Sequence, residues 1–366
     1  MKQVPKRSVW LDLAKMVAIF AVMLDHVRGA LYSNPRISTI SFFCVSLFMI
    51  TMGCASSWSL RKGGGWNLRD KCLRMVGPYL MATFVYCLLQ GCFDLELYLT
   101  HVVRFNADGT FYYVLIYLQF LFIVPILALF TRCSGWRAVG LEITGLLTVL
   151  GIAWFTTNHS NVLRIFGGGG KLLGGTFIIP LYLGVLLGKY TMNRRLRLLP
   201  ACVVSLVFCV LAVVWWRFVV SQPVRLRFDT HFPFASLLNP PNVSLIIYAC
   251  LVAGATFGLG NLLDQASCER SSRFARGVTW LGKHTLYLFL YHRFYLYMLR
   301  KVPCIHAMGH TLTKWVIYFS VMILGALLFE LIMKLLKRAV AAAYCGKSSG
   351  EEESGQTFTE NGAAAK

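Results

Sequence analysis

The chain predicts an all-α, polytopic membrane protein of about ten transmembrane helices, and three observations carry that prediction. Hydrophobic residues make up 57% of the 366 and charged ones only 14%. With a mean hydropathy of +0.61, this is the composition of a chain that dissolves in lipid. The apolar residues fall in runs of about twenty, the length a helix needs to cross the hydrocarbon layer. The cations collect in the short segments between those runs, alternately rich and poor, as the positive-inside rule requires.

The runs lie near residues 10–31, 40–60, 75–93, 110–131, 138–157, 176–192, 198–219, 243–262, 279–299 and 313–336. The first is long, carries charges and has no small-residue cleavage site after it, so it is expected to remain as an anchor. The third follows a basic loop, and Pro78 reads as a first-turn proline of that span. Residues 94–106 are too short to cross and alternate in polarity, which fits an interfacial helix or a re-entrant segment. In the fifth run Glu142 has no counter-charge one turn away and reads as structural or as part of a cavity.

Gly167 to Gly170, followed by Gly174 and Gly175, precede the sixth run and read as a hinge. No GKS or GKT and no strand accompany them, so they do not form a phosphate loop. The stretch 221–242, with Pro223, Pro233, Pro240 and Pro241, suggests a lid without regular structure. Glu330 in the tenth run has Lys334 one turn later and reads as a local ion pair. Residues 1–340 form the membrane domain, and 345–366, with Glu351, Glu352 and Glu353, read as a disordered polar cytoplasmic tail.

Ten spans place both termini on one side. With the N-terminus inside, twenty cations fall on inner segments and ten on outer ones, so both ends are expected in the cytoplasm. A net charge of +21 raises the question of nucleic acid, but its cations are scattered through short loops, and the bilayer is the partner they imply. Of the twelve cysteines, Cys44, Cys54, Cys87, Cys202, Cys209 and Cys250 lie in apolar runs and act as small hydrophobes. No CxxC pair occurs, and His306 and His310 lack the glutamate of HExxH, so no metal site is supported. The absence of GxSxG leaves no serine-hydrolase elbow.

The first run holds Asp12, Lys15, Asp25 and His26. Ionisable residues in a bilayer are costly and usually line a cavity or reaction path. Lys15 and His26 are eleven residues apart, almost three helical turns, so they share one face about 16 Å apart along the axis. A cation near one surface and an imidazole deeper on the same stripe suit a tunnel with an anionic donor at its mouth. In the alternative reading Lys15 snorkels to headgroups and His26 is a packing residue. Asp25 points about 100° away from His26 and is not placed to orient it.

The loop before the third run holds five cations in fourteen residues, and Lys71 and Arg74 are three apart, so both can grip one polyanion. Topology alone also explains such a loop. His284 and His292 in the ninth run face roughly one way, towards opposite ends of the span.

Together these fragments resemble the acyltransferase-3 family of integral membrane acyltransferases, which includes bacterial O-acetyltransferases of surface polysaccharides. The basic residue, ten positions and histidine of its first helix are similar to Lys15 through His26. Its paired cations match Lys71-Cys-Leu-Arg74, followed by Gly77-Pro78-Tyr79. Its aromatic helix start is similar to Gly109-Thr-Phe-Tyr112-Tyr113-Val, and its late signature to Leu281-Gly282 through His292. The likeness spans residues 6 to about 336 in order. Met52-Gly53 replaces the family's Ser-Gly, and Gln119 stands where an acid is usual.

The resemblance implies an acyl donor, acetyl-CoA, bound from the cytoplasm with no permanently held cofactor, and a glycan or lipid-linked saccharide acceptor at a bacterial inner membrane. Lys15, Lys71 and Arg74 would meet the coenzyme phosphates, and His26 would serve as catalytic base or acyl carrier, its imidazole being mostly neutral at pH 7 given an ordinary pKa of about 6.5. Asp25, Tyr112, Tyr113 and His292 are the expected acceptor-side residues. A transporter or flippase for a lipid-linked sugar or small solute is the alternative, although neither inverted repeats nor paired broken helices are evident. A membrane scaffold is the third.

Overall fold

The computed structural model describes residues 8–63, 66–91, 94–159, 172–192, 194–232, 241–265 and 269–356. Among them the only β feature is an isolated bridge between Arg28 and Tyr32. The helices in order are α1 (Val9–His26), α2 (Pro35–Thr39), α3 (Cys44–Arg61), α4 (Leu68–Leu89), α5 (Leu95–Arg104), α6 (Tyr112–Leu129) and α7 (Trp136–Asn158). They continue as α8 (Ile178–Thr191), α9 (Leu198–Trp215), α10 (Val224–Thr230), α11 (Val243–Gln265), α12 (Glu269–Arg300), α13 (Pro303–His306) and α14 (Leu312–Gln356). A 3₁₀ stretch, Leu172–Phe177, leads into α8, and a π-helical turn, Trp216–Val220, finishes α9.

Eight helical segments among the described residues are long and apolar enough to cross a membrane: Pro35–Arg61, Leu68–Leu89, Tyr112–Leu129, Trp136–Asn158, Leu172–Thr191, Leu198–Val220, Val243–Gln265 and Leu312–Ala339. The other two expected spans are helical as α1 and α12, but their ionisable residues set them apart. Both lie where charge is tolerated: α1 packs against α3, α11 and α12, and α12 also against α14. In contrast, α7 and α9 expose Leu147, Leu206 and Val213 to the surroundings. Thus α7 and α9 lie at the rim, while α3 and α8 join the charge-bearing α1 in the interior.

Lipid removes the hydrophobic drive for helices to associate, so close approach has to come from small residues. Between α3 and α8 a Cβ on Gly184 would lie 2.2 Å from the Ile50 carbonyl oxygen, and one on Gly53 2.2 Å from that of Leu181. Likewise a Cβ on Gly282 of α12 would lie 2.7 Å from the Asp12 Cβ. That contact fixes α1 against α12 and so sets the spacing of the interior.

Several expectations change. The first helix ends at His26, not near residue 31: Gly29 turns the chain with φ of 80°, and the Arg300 guanidinium caps the freed carbonyls of His26 and Arg28 at 3.4 and 3.2 Å. Pro78 is interior to α4, because Asn67 caps a helix that starts at Leu68, its Oδ1 accepting from the Asp70 N–H at 3.2 Å. The lid is not wholly irregular. Pro223 opens α10, which is tied to the bundle by Asp229 accepting from the Ser244 backbone and hydroxyl at 2.9 and 2.8 Å.

Glu142 does have partners, supplied by another helix: Lys189 Nζ at 2.5 Å and Tyr190 Oη at 2.7 Å, both at the end of α8. Glu330 pairs with Lys334 at 2.8 Å as expected, and also with His284 Nδ1 at 2.5 Å. Residues 94–106 contain the short helix α5. The last helix continues to Gln356, into the stretch read as a tail. Gly167 to Gly170, Pro233, Pro240 and residues 357–366 lie outside the described residues.

Candidate active site

Three cavities lie in series along α12, and one stripe of that helix touches each of them. Gly282, Lys283, Thr285, Leu286 and Phe289 face the first, Phe289 and Arg293 the second, and Tyr297 and Arg300 the third, which Lys301, just past the helix end, also lines. A repeat of three to four residues keeps these side chains on one face over five helical turns.

The first cavity, about 430 Å³, opens where α4 begins and gathers four cations from three helices: Lys15 of α1, Lys71 and Arg74 of α4, and Lys283 of α12. Lys71 is steadied by the Trp66 ring, its Nζ standing 4.0 Å from the ring centroid. Met52 and Tyr117 also line it. So does Tyr113, which the sequence groups with the acceptor side and the structure puts with the cations, because successive helical residues point about 100° apart and Tyr112 takes the inward direction. The four cations line one concave surface, a vestibule of concentrated positive charge.

The second cavity is a chamber of about 190 Å³ bounded by Asp25, His26, Cys44, Thr110, Tyr112, Phe289 and Arg293. Phe289 belongs to both walls and separates chamber from vestibule, in contact with Tyr113 at 4.6 Å between ring centroids and near Phe48 at 6.4 Å. His26 stands at the last turn of α1, which puts the imidazole at a helix end open to a cavity. Asp25 accepts from the Ser41 hydroxyl at 3.4 Å and does not bond His26.

Behind His26 lies His292, fully buried, with the two ring centroids 5.1 Å apart. Its Nδ1 lies 3.0 and 2.8 Å from the carbonyl oxygens of Leu288 and Phe289, which can only accept. In the neutral ring the proton is therefore on Nδ1 and the lone pair on Nε2. That Nε2 is buried and has no hydrogen-bond partner among the described residues. A buried unsatisfied acceptor is costly, and the His26 ring lies beside this one. His284, by contrast, is engaged with Glu330 and takes no part in the chamber.

Arg293 closes the far side of the chamber. Its Nη1 meets Asp108 Oδ1 at 3.0 Å and its Nη2 donates to Tyr297 Oη at 2.5 Å. Asp108 is buried and held further by the Thr110 backbone and hydroxyl, at 3.0 and 2.6 Å to Oδ2. Beyond this pair is the third cavity, about 420 Å³, lined by Tyr86, Gln90, Asp108, Tyr297, Arg300 and Lys301, at the end where α4 finishes.

Of the residues singled out in the sequence, His26, Asp25 and Tyr112 meet in the chamber, Lys15, Lys71, Arg74 and Tyr113 in the vestibule, and His292 stands behind His26. Sequence reasoning misses Phe289, Arg293, Lys283, Asp108 and Arg300. The signal available for four of them is the set of charged and aromatic residues at 283, 289, 293, 297 and 300. Asp108 lies in a loop with no periodicity to mark it.

Residues 8–331 match the model of a protein family described as an acyltransferase domain, the acyltransferase-3 family. No curated protein and no solved structure matches the chain.

Proposed function

The chain belongs to the acyltransferase-3 family, and from that membership we propose that it carries an acetyl group from cytoplasmic acetyl-CoA to a hydroxyl of a cell-envelope or exported glycan. The observation that supports this reading is the placement of His26 between two larger cavities, one cationic and opening where the inner, cation-rich loops lie. Coenzyme A phosphates sit on Lys15, Lys71, Arg74 and Lys283. The slim thioester arm passes Phe289 into the chamber, whose volume suits a short acyl group and falls below that of ordinary ligand pockets.

The acceptor hydroxyl arrives from the opposite cavity. Its oxygen forms the new ester bond to the acetyl carbon as the thioester C–S bond breaks. His26 takes the hydroxyl proton and passes it to the departing sulfur, so the imidazole ends neutral. Arg293, fixed by Asp108, lines the chamber one helical turn beyond Phe289 and can donate to the carbonyl oxygen as it gains charge. We place both termini in the cytoplasm, the side that the positive-inside bias favours, and the membrane as a bacterial inner membrane.

The test is His26→Ala in cells that display the glycan. Surface material should lose its acetyl-sized mass increment while membrane-inserted protein stays at wild-type level. Undiminished acetylation by that variant would eliminate the proposal.

A further inference from the structure

Resting on the acyl-transfer reading of the chamber, we infer that the cavity beyond Arg293 takes an acceptor bearing an anionic group, phosphate or carboxylate, held by Arg300 and Lys301. Both cations line that cavity. Its one carboxylate is Asp108, and both oxygens are already engaged, Oδ1 by Arg293 and Oδ2 by Thr110. Among the described residues Arg300 and Lys301 form no ion pair; the Arg300 Nη2 donates only to the backbone carbonyls of His26 and Arg28. The cavity wall therefore presents two positive charges with no compensating negative one.

A neutral sugar gives such a wall nothing to balance. Hydroxyls are satisfied by groups such as Gln90, Tyr297 and Tyr86, which the cavity also offers. An anion, in contrast, can take paired donors from a guanidinium and a point charge from an ammonium. The location strengthens this: outer segments hold half as many cations as inner ones, and two consecutive cations at the outer end of α12 run against that bias. Arg300 also ties the site to the chemistry. The guanidinium that would hold the anion is the one bonded to the His26 carbonyl, so an acceptor anchored there is referenced to the base across one side chain. Two sources carry this chemistry, the phosphate of a lipid carrier and the carboxylate of an acidic sugar.

The experiment follows thermal unfolding of the full chain in an uncharged detergent at fixed ionic strength, with a short prenyl phosphate, methyl glucuronide or neutral methyl glucoside as probe and coenzyme A as reference. One or both charged probes should protect the protein and methyl glucoside should not; the probe that protects names the source. Arg300→Gln should weaken that protection about tenfold, and Lys301→Gln, at an exposed site without a structural contact, several-fold. Protection by coenzyme A, which binds at the other end, should be unchanged in both variants. Failure of both charged probes to protect the wild-type chain, equal protection by methyl glucoside, or unaltered charged-probe affinity in both variants would overturn the inference. Coenzyme A separates the two ideas: if it protects while the anions behave in one of those ways, the acyl-transfer reading stands and only the anion site falls. If coenzyme A itself fails to protect the wild type, the donor reading falls.

Discussion

Replacing Arg74 by Gln should raise KM for acetyl-CoA about tenfold and leave kcat nearly unchanged. Four cations line the vestibule, so one substitution removes part of the anion grip and leaves the cavity intact. A hydrogen bond to a charged group is worth ~1.5–3 kcal/mol, and Arg74, exposed at the mouth, is screened by solvent to the bottom of that range. A loss of about 1.4 kcal/mol corresponds to a factor of ten. The phosphates bind far from the reacting carbonyl, and such contacts are equal in ground and transition states, so their loss falls on KM. The assay is release of coenzyme thiol, with acetyl-CoA compared against acetyl-pantetheine, which lacks the nucleotide and its phosphates. The variant should match wild type on acetyl-pantetheine, and the wild-type advantage on acetyl-CoA should shrink as salt shortens the screening length from about 10 Å at 0.1 M to about 3 Å at 1 M. An equal loss with acetyl-pantetheine, or a loss confined to kcat, would refute the electrostatic reasoning.

Phe289→Ala should cost about 3–5 kcal/mol of stability, since the ring is only 4% exposed, and should join chamber to vestibule. The expected readout is a higher ratio of acetyl-CoA hydrolysis to transfer; an unchanged ratio means that Phe289 is not a barrier. His292→Phe keeps an aromatic ring of similar bulk and removes the Nε2 acceptor, so acetyl transfer should fall about a hundredfold with the unfolding midpoint nearly preserved. Full activity in that variant would reduce His292 to packing. Gly184→Ala drives a Cβ towards the Ile50 backbone oxygen and should lower the unfolding midpoint through a loss of at least ~1–3 kcal/mol. The control is Gly140→Ala on α7, which meets nothing within 4 Å and should leave the midpoint unchanged or slightly raised.

The sequence alone determines the all-helical membrane architecture, because runs of apolar residues report directly on the solvent they must meet, and that requirement is local. It likewise yields the Lys15 to His26 pairing and the Lys71 to Arg74 pairing, since residues on one helix are related by the helical repeat whatever surrounds them. The ion pair of Glu330 with Lys334 is legible for the same reason. The register of helices against one another lies beyond its reach. Lys189 reaches Glu142 from 47 positions away, Arg293 reaches Asp108 from 185, and Arg300 reaches the His26 carbonyl from 274. Those partnerships depend on where Gly53, Gly184 and Gly282 let backbones close to contact, a property of two surfaces together and of neither helix by itself. Tertiary packing alone therefore decides that the histidine of the first helix lies between a cationic vestibule and a second cationic cavity, with Phe289 and Arg293 as its two walls.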